Sequence, residues 1–220
     1  TPPPEPTDSP PPTSGAPLSA RGALRWAAAH PTARFAVVLI ALAHAVMVMV
    51  MVMTPVHMEG HGDTLEFVGI VISLHVFGMY GLSPVFGLAI DRWGALTVAA
   101  VGLAIEGLSV VLGFLAAGGG SALMVAALIL LGLGWSGCVL AGSALLASDV
   151  AAEVRVPLQG ASDAAMNYAG AIGAALAGPL LAVGGFHAVN VVAGLVLLPA
   201  VLLWFPARRD RRGRALLAAP

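Results

Sequence analysis

Lysine is absent from this 220-residue chain, and cysteine occurs once, at Cys138. A single thiol excludes a disulfide framework and a thiolate metal cluster. Charge is scarce too: ten arginines stand against eleven acids, and charged residues make up 10% of the chain. So even a balance builds no basic field, which excludes nucleic acid as a partner. No segment alternates apolar and polar residues over the ~10 positions of a membrane strand, so a lipid-facing barrel is excluded as well. Also missing is the polar surface of a water-soluble globule, which is about half apolar and about a quarter charged. Here 59% of residues are apolar and mean hydropathy is +0.93. The lipid bilayer remains as solvent, and 27 glycines suit helices that pack closely within it.

The chain opens on different material. TPPPEPTDSPPPTSGAP (1–17) is proline-rich, carries Glu5 and Asp8, and has no apolar periodicity. It fits neither a signal peptide nor a transit peptide. Residues 1–32 are expected to be a disordered linker. Starting at Thr1, the chain reads as a fragment or processed chain that begins in that linker.

Six apolar stretches follow, each long enough to cross a hydrocarbon core about 30 Å thick. They predict an all-α membrane bundle over 33–206, with spans at 33–54, 66–90, 95–117, 121–147, 161–183 and 187–205 and a basic tail over 207–220. Breaks fall at Thr54-Pro55, Asp91-Arg92-Trp93-Gly94, Gly118-Gly119-Gly120, the charged stretch Asp149 to Gln159, and Gly184-Gly185. With six crossings, every arginine lies on the side of the two tails. The short loops decide the matter: Arg92 and Arg155 are on the tail side, and the three opposite loops carry none. The positive-inside rule then predicts cytoplasmic termini and a multi-pass protein of the cell membrane.

Gly87-Leu88-Ala89-Ile90-Asp91-Arg92-Trp93-Gly94 forms a G-x-x-x-D-R-x-G pattern in a short loop. It resembles the cytoplasmic-loop signature of the major facilitator superfamily, although Ala95 and Leu96 stand where a basic pair usually follows. Leu131-Gly132-Leu133-Gly134-Trp135-Ser136 through Leu146, then Arg155, Gln159-Gly160 and Asp163, is similar to helices ten and eleven of bacterial permeases of that family. The resemblance covers about 33–205 and is to the C-terminal six-helix half. It implies alternating access about a midplane cavity, with spans one and four lining it and two and five at the seam. It also implies an N-terminal six-helix half as partner, in the same full-length chain or a separate one, and a small solute as substrate. Proton-coupled efflux is one form this transport could take. In the loop motif, Gly87 and Gly94 allow a tight turn, while Asp91 and Arg92 supply a charge pair able to bias one conformation.

Polar groups within the spans are the candidates for a substrate or proton pathway, because each is costly in lipid. They are His44, His75, Glu106, Ser143 and Asn167. For His44 and His75 the alternative role is a helix–helix hydrogen bond, and for Glu106 a neutral carboxyl holding helices together; Ser143 and Asn167 are placed near the cavity. Asp163 alternatively serves as a first-turn acid favoured by the helix dipole. Gly170, Ala174 and Gly178 recur every four residues before Pro179, predicting a stripe for close packing.

Met47, Met49, Met51, Met53 and Met58 beside His57 and His61 suggest soft-metal ligation. At about 100° per residue, however, 47 and 51 share a face while 49 and 53 point away. Packing is the better reading, and no metal or cofactor is expected. Gly134-Trp135-Ser136-Gly137 with His187 resembles the Ser/His pair of rhomboid-type intramembrane proteases. Ser136 would lie about 20 Å below the surface at which His187 starts its span, too far for general-base contact, so no enzyme is expected. A non-transport alternative is a six-helix accessory or assembly subunit.

Overall fold

The computed structural model describes residues 18–217, and these are all helix and short connections. The linker prediction for 1–17 and the last residues of the tail, 218–220, lie outside the described residues. The elements are α1 (Ala20–Ala29), α2 (Pro31–Gly60), α3 (Leu65–Tyr80), α4 (Ser83–Trp93), α5 (Ala95–Ala116), α6 (Ser121–Ser148) and α7 (Ala152–Leu217).

Helix α1 occupies part of the stretch expected to be linker. Its order has local causes: the Ser19 hydroxyl caps it by accepting from the Gly22 amide at 3.2 Å, and Ala23 and Ala27 are buried one turn apart. At its end Trp26 stacks on His30, with ring centroids 3.7 Å apart. Pro31 then starts α2, where a missing N–H costs nothing.

Span one corresponds to α2, span three to α5 and span four to α6. Span two is built from α3 and α4, divided at Gly81 and Leu82 before Ser83-Pro84. Spans five and six are continuous in α7 except at Gly184 and Gly185, where the backbone leaves helical geometry; Gly185 has φ 64°. Only glycine takes that angle without strain, so the chain reverses there. The tail expected beyond 206 continues α7 as helix through Leu217.

The bundle has two chemically distinct ends. At the tail end, the Thr32 hydroxyl donates to Asp210 (2.8 Å), Arg211 pairs with Asp149 (3.1 Å), and Arg214 pairs with Asp210 (2.7 Å) and Asp149 (3.6 Å). This network joins the starts and ends of α2, α6 and α7. At the opposite end Ser121 donates to Asp63 (3.0 Å), His57 stacks on Phe186, and His187 meets Phe114 edge-on. Burial is uneven. Of the most apolar stretch of α2 and of α6, 56% is buried, against 28% for the α3–α4 pair and for α7. Helices α2 and α6 are thus the spine of the bundle, and large faces of α3, α4 and α7 are left open.

Candidate functional site

Four helices meet at one polar centre. The Trp135 indole N–H on α6 donates to His44 Nδ1 on α2 at 3.1 Å. Tyr80, at the end of α3, meets the Trp135 ring edge-on at 5.9 Å and is largely exposed. Gly170 on α7 completes the group: a Cβ there would come 2.7 Å from His44 Cδ2 and 2.9 Å from Nε2, so the imidazole lies against bare backbone. An indole N–H can only donate, so Nδ1 accepts and a neutral His44 carries its proton on Nε2. A doubly protonated ring would set two donors against each other. Protonation of His44 and the Trp135 bond therefore exclude one another.

The other candidates are dispersed. His75 is fully buried and donates Nδ1–H to the Leu128 carbonyl at 2.8 Å, tying α3 to α6. Glu106 is also fully buried, pressed against the backbone at Gly134 of α6. One carboxyl oxygen accepts from the Cys138 thiol at 3.6 Å, and the other has no partner among the described residues. Ser143 and Asn167 are exposed, and the Asn167 amide donates to the carbonyl of Asp163 on its own helix. Asp163 is exposed, Gln159 half-buried, and Arg155 donates to the Val150 carbonyl at 3.3 Å.

In the loop motif, Gly94 has φ 82° and its amide caps α4 through the Ile90 carbonyl at 2.8 Å. One residue thus turns α4 into α5. Gly87 stands in open space, and Asp91 and Arg92 are exposed with no ion pair among the described residues. The packing stripe on α7 differs from the one predicted. Gly170 faces His44 and Val48, Gly173 meets the backbone of Ala45 and Ala177 is buried, whereas Gly178 has nothing near it and Pro179 is exposed. The protease pair is not assembled: Ser136 lies 3.4 Å from the Ser83 hydroxyl, while His187 packs on Phe114 at the far end. Met47, Met49 and Met58 are buried in the apolar core.

Sequence reasoning did not single out Trp135 or Tyr80 as members of a site, nor Asp149 as the hub of a network. His44 and Trp135 are 91 positions apart, and only the fold brings them together. A tryptophan between small residues, Gly134 and Ser136, was the available signal.

The family model of the Major Facilitator Superfamily matches residues 35–219. The chain is 36% identical over 171 residues to the uncharacterized MFS-type transporter YddS of Bacillus subtilis, a match spanning 76% of this chain and 39% of that protein. It is 37% identical over 172 residues to a second such transporter of Bacillus subtilis, YdeG, covering 77% of this chain and 40% of the relative. The riboflavin transporter RfnT of Brucella anthropi is 30% identical over 163 residues, 72% of this chain and 40% of its own length. No solved structure matches. The chain thus spans about two fifths of the length of the relatives it matches. With its model matched over most of the chain and apolar helices long enough to cross a membrane, this multi-pass membrane chain belongs to the Major Facilitator Superfamily.

Proposed function

We propose that this six-helix bundle is one half of a transporter that moves a small solute across the cell membrane by alternating access, without covalent chemistry. A second half, in the same full-length chain or a partner chain, closes against the open faces of α3, α4 and α7, with both termini of this half in the cytoplasm. The observation that carries the reading is the polar centre beside those open faces. His44, Trp135 and Tyr80 come from three helices and converge next to Gly170 of a fourth. A centre shared by four helices changes whenever they shift against each other or against a solute.

The same geometry supports a reading in which transport is coupled to protons. When His44 gains a second proton the Trp135 bond breaks, which frees the indole and links protonation to the spacing of α2 and α6. Glu106 is assigned the packing role, because it faces α6 and not an open surface. One relative is named a riboflavin transporter. The exposed Tyr80 ring, which can stack on or edge a planar solute, places flat heteroaromatic compounds first in a substrate panel.

The test is uptake or efflux in proteoliposomes holding this chain with its second half, under an imposed pH gradient. The wild type is expected to move at least one solute. His44→Gln is expected to abolish the response to the gradient while leaving downhill exchange in place, and Trp135→Phe to shift the pH profile. Absence of transport across a broad panel would overturn the transporter reading. Transport indifferent to both substitutions would overturn the assignment of the centre.

A further inference from the structure

The seam between α5 and the last part of α7 carries a feature that solute transport does not use. At the tail end lies a cavity of about 610 Å³, walled by Trp93 and Thr97 on one side and Trp204, Arg208, Arg211 and Arg212 on the other. A second cavity of about 210 Å³ continues from it along the same seam and shares Trp204. Its other walls are apolar: Ala100, Leu103 and Ala104 from α5, Val201 and Phe205 from α7. Thr97, Ala100 and Ala104 follow one face of α5, and Val201, Trp204, Arg208 and Arg211 one face of α7. Within about 10 Å along α5, at ~1.5 Å per residue, the walls change from guanidinium groups to small apolar side chains.

We propose that this paired cavity is a binding site for an anionic phospholipid, with the headgroup phosphate among the arginines and an acyl chain in the apolar groove. The charge balance selects the headgroup. Arg211 is already neutralised by Asp149 (3.1 Å), and Asp210 is held by Thr32 and Arg214. Among the described residues no acid lines the cavity. Arg212 is exposed and has no ion pair among the described residues, and the Arg208 guanidinium lies over the Trp204 ring at 5.0 Å from its centre. Among the described residues, two arginines without counter-ions therefore face the space, and a zwitterionic lipid brings its own cation where only an anion is needed. Trp93 and Trp204 mark interface depth, where tryptophan collects, and the Trp204 indole is fixed by donating to the Leu96 carbonyl at 2.9 Å. A free phosphate would use the upper cavity alone. The apolar continuation, opened by two alanines, selects a ligand with a hydrocarbon tail.

Lipid retention can be measured without any transport assay, so its outcome is independent of the proposed function. The full chain is purified in mild detergent and titrated with dioleoylphosphatidylglycerol or dioleoylphosphatidylcholine, with bound lipid counted by native mass spectrometry. Phosphatidylglycerol is expected to bind about tenfold more tightly. Removing both charges with Arg208→Ala/Arg212→Ala is expected to weaken it about thirtyfold, taking each arginine near the surface as worth about a factor of five. Arg208→Lys/Arg212→Lys is expected to retain the preference. Ala104 is exposed, so Ala104→Phe disturbs no packing; it is expected to weaken the lipid by blocking the groove. Equal binding of the two lipids would overturn the proposal, as would indifference to the arginine pair or to Ala104→Phe. Displacement of phosphatidylglycerol by equimolar inorganic phosphate would also overturn it, by showing that the tail contributes nothing.

Discussion

Glu106 offers the sharpest division between a packing group and a proton carrier. Its side chain is fully buried between α5 and α6, with the backbone of Gly134 against its Cβ. Its one polar contact is a long bond from the Cys138 thiol at 3.6 Å. Glu106→Gln keeps volume and shape and keeps an oxygen able to accept from the Cys138 thiol, so it should cost less than about 1 kcal/mol. Glu106→Ala removes the whole filled volume at a crossing that cannot collapse, since glycine backbone already lies at contact. By analogy with large-to-small substitutions in cores it should cost about 2–4 kcal/mol. The converse change, Gly134→Ala, would put a Cβ 2.6 Å from the Glu106 amide nitrogen; prying the two helices apart should cost about 1–3 kcal/mol. Thermal unfolding of the purified protein ranks the three, and transport in proteoliposomes as a function of pH reads the second property. The expected pattern is a Gln variant close to wild type in both, with Ala and Gly134→Ala destabilised. A Gln variant of unchanged stability that no longer responds to a proton gradient would refute the packing role.

Other perturbations follow from the same contacts. Asp149→Ala leaves Arg211 and Arg214 without their shared acid; because both arginines are partly exposed, the loss should be about 1 kcal/mol and shrink as salt is raised, read as the fall in unfolding temperature against ionic strength. Gly94→Ala forces an L side chain to φ 82° and should cost about 1–3 kcal/mol, with unfolding temperature as the measure. Arg92→Cys and Asp63→Cys should react with a membrane-impermeant thiol reagent from opposite sides in sealed vesicles, in a Cys138→Ala background. Reaction from one side only would break the six-span topology.

Much of the fold was legible because lipid imposes a simple code: about twenty apolar residues, then a break. The α5 and α6 boundaries follow Gly94 and Gly118-Gly119-Gly120 almost to the residue. Three features were not legible, each for a physical reason. Helix α1 is short and alanine-rich, and its order depends on Ser19 and on burial of two alanines against the bundle, which composition does not register. The α7 stripe was expected at intervals of four, but a helix drifts about 40° with each such step. Contact with α2 is made instead by Gly170 and Gly173, three residues apart, and Ala177, four residues further on, is buried. The site was half visible. His44 stood out as a rare polar group within a span, whereas Trp135 and Tyr80 look like ordinary membrane aromatics until tertiary structure brings them to it.

The polar groups within the spans fall into two sets with different consequences. His75 bonded to Leu128, Ser109 to Ala127 and Trp204 to Leu96 all reach from one helix to a backbone carbonyl of another, at 2.7–2.9 Å. Each such bond is worth only about 0.6 kcal/mol in a membrane. Their effect lies in register: a side chain bonded to a particular carbonyl fixes how two helices slide, and the close approach of α3 to α6 at Gly78 and Gly132 leaves little room for other arrangements. Together with the ion-paired tail end, these contacts tie α2, α3, α5, α6 and α7 to one another. The second set, His44, Trp135 and Tyr80, reaches an open surface through Tyr80, which is largely exposed. The rocking transport proposed above would use both sets, because a bundle that deformed internally would dissipate solute binding before any motion reached a second half.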